Sequence, residues 1–181
     1  MACSSKANAM LSLLRNTFVC LDMKLVRTLF TVYVRPLIEF AVPVWCPYLK
    51  GDINKLEKIQ HRVTRLIPSL KRLPYNERLK RMGLTTLEAR RKRGDLIQVF
   101  KIFNNIEKVD LVNRPKFKWD TTTRGHNQKY SREICTTEAR QNFLTNRIAN
   151  VWNSLPSEAI NAKTTNEFKS KIDKFMNELE K

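Results

Sequence analysis

The chain has 181 residues, of which 42% are hydrophobic and 9% aromatic, so it contains enough apolar material for a packed core and is not a disordered tail. Its formal net charge of +17 favours a polyanionic partner and argues against a neutral small-molecule substrate. The sequence has no apolar run of about eighteen residues and no secretory leader pattern. We therefore predict an intracellular protein, nuclear or cytoplasmic, with no membrane partner.

The cysteines are scattered along the chain and form no CxxC pair, and neither histidine lies near a pair of cysteines at zinc-finger spacing. We therefore predict no metal site. Disulfides are rare in nuclear and cytosolic proteins, so we predict free, reduced thiols. The four cysteines are Cys3, Cys20, Cys46 and Cys135.

The positive charge is concentrated in the middle of the chain. Residues 50–108 carry a net charge of +10, whereas residues 1–49 carry +3 and residues 109–181 carry +4. We therefore expect the binding surface to lie mainly in the middle segment.

The first clear helical pattern begins at Leu21, where apolar residues recur every three to four positions as far as Tyr33. Pro36 removes a backbone donor, so we expect a kink near Arg35 before the helix continues. The segment "VRPLIEFAVPVWCPY" then contains two further prolines, which we expect to end the helix. Its tryptophan and cysteine are predicted core residues, with the alternative that large side chains face a neighbouring element.

The next helix is predicted to start with Asp52 as its N-cap. Its apolar residues fall within one arc at 100° per residue, and four basic residues fall within a second arc beside the first. At a rise of 1.5 Å per residue the basic arc spans about 15 Å, enough to follow two or three phosphates of one strand. The alternative is a solvated basic face without a partner. The apolar residues are Ile53, Leu56, Ile59, Val63, Leu66 and Ile67, and the basic residues are Lys55, Lys58, Arg62 and Arg65.

Two further helices follow in the basic segment. Pro74 suits the first turn of a short helix that Gly83 caps. The next helix contains Gly94, which costs about 1 kcal/mol relative to alanine, so we expect either another helix or a phosphate to approach its backbone closely. The run "RRKR" just before that glycine indicates a nuclear-import signal or a nucleic-acid contact. Consecutive helical residues point in different directions, so at most two serve one surface; our candidates are Arg90 and Arg93.

The helical pattern lapses near residues 108–116, which we interpret as a linker between domains 1–108 and 109–181. Residues around Gly125 suggest a loop or short β-hairpin. Basic and aromatic side chains are interleaved there, as in surfaces that hold phosphates and stack on bases. A surface turn with incidental basic residues is the alternative. The candidate residues are Arg124, His126 and Lys129, with Trp119 and Tyr130 among them.

The C-terminal part returns to helix, so the fold class is mainly α. One amphipathic helix from Phe143 to Trp152 is ended by "NSLP", because the residue before Pro156 is disfavoured in helical angles. Thr164 and Glu167 form a capping-box pattern before the last helix. We predict a packing module.

No enzymatic motif is present: the sequence lacks G-x-S-x-G, a Walker loop, H-E-x-x-H and adjacent aspartates. Two-metal nucleotidyl transfer needs carboxylates that converge on ions about 4 Å apart. The six aspartates lie in separate elements. We therefore predict no catalytic residue, no metal and no cofactor.

Several motifs, in order, resemble the C-terminal end of jockey-type and related non-LTR retrotransposon reverse transcriptases. They are "VYVRPLIEFAVPVWCPYLKGDINKLEKIQHRVTRLIPSL", "YNERLKRMGLTTLEARRKRGDLIQVFKIFNN", "TRGH" and "VWNSLPSEAINAKTTNEFKSKI". The resemblance covers the chain from about Asp22 to about Phe175. In that family this region follows the polymerase palm.

The resemblance implies a helical thumb in residues 1–108, followed by a C-terminal extension with a loop or hairpin and two helices. The family's catalytic aromatic-x-Asp-Asp turn is missing, so no catalytic role is carried over, although the parent protein would be an RNA-directed DNA polymerase. The implied role is sequence-independent binding of RNA, DNA or an RNA–DNA hybrid through phosphates. The alternative function is a protein-interaction module that binds a partner, such as a palm-containing polymerase portion, or self-associates through an exposed apolar surface.

Overall fold

The computed structural model describes residues 2–111, 115, 117 and 125–179. Within these residues the fold is mainly α, which confirms the predicted class, and no β-strand is formed. None of the helices in this part of the chain is both long and apolar enough to cross a bilayer. The α-helices are α1 (Ala2–Thr17), α2 (Met23–Leu29), α3 (Arg35–Glu39), α4 (Val42–Trp45), α5 (Lys50–Thr64), α6 (Tyr75–Met82), α7 (Leu87–Phe103), α8 (Glu138–Gln141), α9 (Leu144–Ser154), α10 (Ser157–Ile160) and α11 (Thr165–Leu179).

The chain forms two compact units, Met1–Arg91 (unit 1) and Lys92–Lys181 (unit 2). The division falls inside α7, earlier than the boundary after residue 108 that the lapse in helical pattern suggested. The reason is that the apolar residues of the second half of α7 pack with the C-terminal helices: Leu96 and Phe100 lie in the same core as Trp152.

Helices α2 and α3 are joined by one π-helical segment, Phe30–Val34. Asp22 caps the start of α2, where its carboxylate accepts a hydrogen bond from the Leu25 N–H. At the other end of the π segment the Arg35 N–H donates to the Phe30 carbonyl, a five-residue step. Pro36, which has no N–H, follows directly. The predicted irregularity is therefore a wide π turn just before the proline.

The end of α3 differs from the prediction. The helix stops at Glu39, and Ala41 adopts a left-handed conformation with φ of 51°. Pro43 does not end this helix but lies in the first turn of α4, where a missing N–H costs nothing. The turn is closed by a hydrogen bond from the Trp45 indole N–H to the Phe40 carbonyl.

Two details of the predicted basic helix were wrong. Helix α5 begins at Lys50 with Leu49 as N-cap, and Asp52 lies in its first turn instead of capping it. There its carboxylate complements the positive end of the helix dipole. The helix also ends at Thr64, before the predicted Ile67, which is extended because Pro68 follows it.

The core of unit 1 contains apolar residues from α1, α2, α3, α5, α6, the start of α7 and some of the segments between these helices. Trp45 is partly buried and packs against this core. Cys46 is also partly buried, and none of the four cysteines is in a disulfide. The core residues are Ala7, Leu11, Val26, Phe30, Val34, Ile38, Leu56, Ile59, Val63, Ile67, Leu70, Met82 and Leu87.

The glycines of the two neighbouring helices have different roles. Gly83 ends α6 with φ of 61°, which confirms the predicted cap. A Cβ built on Gly94 would meet nothing within 4 Å. No other helix of the described chain therefore packs closely on Gly94, and the alternative of a phosphate at this position stays a prediction.

The core of unit 2 is aromatic. Phe100 stacks on Phe168 with ring centroids 4.1 Å apart, and Phe103 meets Trp152 edge to face at 5.1 Å. Thr164 accepts a hydrogen bond from the Glu167 N–H at 3.1 Å, which confirms the predicted cap. The Glu167 carboxylate completes the motif at the N–H of Lys163, one residue before the cap.

Residues 125–135 run along α9 and are tied to it by side-chain hydrogen bonds; we call them the strap. Asn153 binds both the N–H and the carbonyl of Tyr130, at 3.1 and 2.9 Å. The Tyr130 hydroxyl donates to the Thr145 carbonyl at 2.7 Å. An isolated antiparallel bridge joins Tyr130 to Phe117. The predicted hairpin is not confirmed, since most of its first half lies outside the described residues.

Candidate nucleic-acid interface

Helix α5 has one buried face and one exposed basic face. Leu56, Ile59 and Val63 are at most 1% exposed and pack in the unit 1 core. The four basic residues of the predicted stripe are all exposed. The helical period of 100° per residue is the cause, because residues three and four apart share a face. We call Lys55, Lys58, Arg62 and Arg65 the α5 stripe.

Members of the α5 stripe differ in how their charge is compensated. Lys55 lies 2.9 Å from the Asp52 carboxylate, an exposed pair that contributes little and is weakened by salt. Arg62 donates instead to the amide oxygen of Asn8 at 2.8 Å. That acceptor is neutral, so it orients the guanidinium without neutralising it.

The C-terminal half of the stripe opens onto a groove of about 690 Å³ between α1 and the end of α5. Two arginines of the stripe line it, and two further cations meet them there: Arg15 from α1 and Lys71 from the chain after α5. None of the described lining residues is acidic. The lining residues are Asn8, Leu11, Ser12, Arg15, Leu21, Arg62, Arg65, Leu66, Pro68 and Lys71, and we call the site the basic groove.

Local sequence explains how the groove forms. Helix α1 packs against α5, with Ala7 and Leu11 in the unit 1 core, and this places Arg15 beside the end of α5. Pro68 ends the helical path and begins a short 3₁₀ turn, Pro68–Leu70. The turn directs the chain so that Lys71 faces the groove. Four cations around a concave apolar floor produce a focused positive potential.

A partly buried polar cluster is formed by α5 and α6. The Tyr75 hydroxyl donates to the Glu57 carboxylate at 2.5 Å, and burial followed by this bond raises the pKa of Tyr75 well above its usual value. The ring of His61 stacks on Tyr75 with centroids 3.5 Å apart. Arg78 is 2% exposed, and its Nη2 lies 3.4 Å from Nδ1 of His61.

The His61 ring is neutral in this arrangement. Arginine has no acceptor, so Nδ1 of His61 must accept the hydrogen bond from Arg78. Burial, and then the charges of Arg78 and Arg65, lower the pKa of His61 below its ordinary value of 6.5.

The two arginines predicted from the "RRKR" run lie outside the groove. Arg90 binds both carboxylate oxygens of Glu39, at 2.5 and 3.0 Å. Arg93 binds both carboxylate oxygens of Asp173, at 2.6 and 2.9 Å. Both guanidiniums are therefore paired with a carboxylate of their own unit, and neither residue lines the basic groove.

Of the three predicted residues of the C-terminal region, the structure describes two, His126 and Lys129. Arg124 lies outside the described residues, as does Trp119. His126 is 3% exposed; its Nδ1 accepts from the Gln128 N–H, so Nε2 donates to the Trp152 carbonyl. Burial lowers its pKa, and we remove it from the interface. Lys129 is half-buried.

Sequence reasoning missed Arg15 and Lys71. Arg15 was overlooked because no helix was predicted before Leu21, although Ala7 and Leu11 are spaced by four and Arg15 continues that interval. Lys71 carried no such signal, because its position depends on the turn at Pro68.

Comparisons of the chain with known protein families, with curated proteins and with solved structures found no match. Within the described residues no three histidine, cysteine or acidic side chains are grouped so that they could hold a metal ion. The basic groove and the α5 stripe are therefore the features of the described chain from which a function can be inferred.

Proposed function

We propose that the protein binds nucleic acid, without sequence preference, by holding sugar-phosphate strands in the basic groove and along the α5 stripe. The observation that carries the proposal is the convergence of Arg15, Arg62, Arg65 and Lys71 on one groove whose described lining contains no carboxylate. Arginine and lysine bind phosphate oxygens by charge-assisted hydrogen bonds. Contacts of this kind position a strand without reading its bases.

Counterion release provides the test. With four to six phosphate contacts, log K should fall against log salt with a slope of roughly −3.6 to −5.4 for a duplex. A filter-binding titration with a labelled duplex of arbitrary sequence measures the slope. Retention that does not change with salt would contradict the proposal, and so would retention of one sequence alone.

We further propose that the chain corresponds to the thumb and C-terminal extension of a non-LTR retrotransposon reverse transcriptase. Support comes from the motif order in the sequence and from the helical fold with a basic helix. In this proposal the chain grips a template–primer duplex in the nucleus or cytoplasm, and catalysis belongs to a palm. This sequence contains no pair of adjacent aspartates of the kind that a polymerase palm uses to hold its metals.

A second candidate function, protein association, is favoured by exposed apolar residues around α4. Phe40 is 79% exposed and Val44 is 78% exposed, and Tyr48 and Leu49 are also exposed. Burying such side chains against a partner or a second copy would remove apolar area from water. Light scattering of the chain, alone and with a duplex, separates the two functions: association without nucleic acid that a Phe40→Ser/Val44→Ser variant abolishes supports the second.

A further inference from the structure

The basic groove contains two kinds of polar side chain, and only the second kind can accept hydrogen bonds as well as donate them. Arg15, Arg62, Arg65 and Lys71 are cations, which donate hydrogen bonds and accept none. Asn8 and Ser12 are uncharged and lie one turn apart on α1. Their side-chain oxygens are the only hydrogen-bond acceptors among the side chains that line the described groove.

Acceptors are of no use to a phosphate, which itself only accepts. A DNA strand offers the groove phosphate and sugar oxygens, so the four cations satisfy it. An RNA strand also offers a 2′-hydroxyl at every ribose, and this group donates as well as accepts. Its hydrogen needs an acceptor close to the phosphate-binding cations.

Of the two acceptors, Ser12 is the one available to a ligand. The amide oxygen of Asn8 already accepts from Arg62 at 2.8 Å. Ser12 is exposed, and its hydroxyl accepts and donates in any rotation. Asn8 therefore orients a phosphate-binding arginine, and Ser12 faces the strand beside it.

From this arrangement we infer that the basic groove binds ribose-containing strands in preference to deoxyribose strands, and that Ser12 is the residue that reads the 2′-hydroxyl. The inference rests on the proposed function, since the cations must first hold a strand. It specifies RNA as the preferred ligand class of the groove.

Three probes of one sequence test the inference with the full chain: an RNA duplex, its 2′-O-methyl analogue and a DNA duplex. The 2′-O-methyl duplex keeps the RNA phosphates and sugars but lacks the hydroxyl hydrogen. One hydrogen bond corresponds to a change in affinity of about two- to tenfold. We expect RNA to bind tighter than both other probes by about that factor.

The Ser12→Ala variant should lose this advantage, so that the RNA duplex, its 2′-O-methyl analogue and the DNA duplex bind the variant with similar affinities. Alanine is favourable at an exposed helix position, so folding is not at risk. Ser154→Ala, at an exposed serine of unit 2, is the matched control and should retain the preference for RNA.

The possible outcomes distinguish a failure of the inferred RNA preference from a failure of the proposed nucleic-acid binding. Equal binding of RNA and DNA by the unmodified chain would overturn the inference and leave the proposed function standing, as would an RNA preference that Ser12→Ala retains. Failure to bind any of the three duplexes would overturn the proposed function itself.

Discussion

Arg62 retains its positive charge for a ligand because the group that orients it, the Asn8 amide, is neutral. Arg90 is an arginine on a neighbouring helix, yet both oxygens of the Glu39 carboxylate bind it. In a bidentate arginine–carboxylate pair the two charges compensate each other, and the two parallel hydrogen bonds fix the orientation of the guanidinium. At the scale of single residues, the charge of the side chain that accepts an arginine's hydrogen bonds therefore determines whether that arginine is available to bind a phosphate.

The neutral state of His61 makes stability depend on pH. Its folded-state pKa lies below its ordinary value of 6.5, so the unfolded chain binds the proton more readily. The stability that is present above the ordinary pKa of 6.5 is lost as the pH falls below 6.5 and through the lowered pKa of the folded state. We expect the melting temperature, followed by circular dichroism, to fall between about pH 7.5 and about pH 5.

A His61→Asn variant isolates this contribution, because its amide oxygen keeps an acceptor near Arg78 but does not titrate. The fall in melting temperature over the same pH range should be smaller in the variant. His126 has a lowered pKa as well, so part of the dependence should remain. An identical pH dependence in both proteins would show that His61 is not held neutral.

Gly83 and Gly94 provide a matched pair of glycine-to-alanine substitutions. Gly83 has φ of 61°, and a Cβ there would lie 3.4 Å from the Arg27 guanidinium, so Gly83→Ala should destabilise by about 1 kcal/mol. Gly94 lies inside α7 with open space around it, so Gly94→Ala should stabilise by up to about 1 kcal/mol. Thermal unfolding should show shifts of opposite sign, of about 2–4 °C each. Shifts of the same sign would contradict the assigned conformations.

At the scale of elements, the strap depends on one side chain of α9. Asn153 satisfies both backbone groups of Tyr130, a residue that is 1% exposed. Asn153→Ala leaves both groups without their partner and should destabilise by about 1–3 kcal/mol, measured by urea unfolding. Asn150→Ala, on the exposed face of the same helix, is the control and should cost nothing. Equal effects of the two substitutions would show that the strap is not held in this way.

Periodicity predicted the long elements well, because burying one face of a helix requires apolar residues at fixed intervals. The two faces of α5, the cap at Gly83 and the cap at Thr164 all follow from such local rules. The start and end of α5 did not, since Leu49 and Pro68 act through backbone geometry that the apolar pattern does not report. Helix α1 was missed although Cys3, Ala7, Met10, Leu11 and Leu14 recur at helical intervals and pack in the unit 1 core.

The candidate site was only partly predictable for a related reason. The exposure of Lys55, Lys58, Arg62 and Arg65 followed from the helical period. The groove required knowledge of tertiary packing, because Arg15 reaches it from α1 across more than forty residues of sequence. The ion pairs of Arg90 and Arg93 likewise join residues distant in sequence, and no spacing rule reveals them.

At the scale of the whole molecule, a net charge of +17 attracts any polyanion at low salt. A general attraction of this kind would be weakened equally by reversing any pair of exposed basic residues. A dedicated site would not be, because the groove residues contact phosphates directly while the others act only from a distance. Comparing variants of equal net charge therefore distinguishes binding at a dedicated site from general electrostatic attraction to the whole chain.

The most direct measurement compares Arg62→Glu/Arg65→Glu with Lys163→Glu/Lys174→Glu, which changes the net charge equally at exposed residues of unit 2. Circular dichroism first verifies that both variants are folded. In a salt titration of duplex retention, the groove variant should bind at least about tenfold more weakly, with a salt slope shallower by about two, and the control should keep its slope. Equal losses in the two variants would contradict the assignment of the basic groove as the nucleic-acid site.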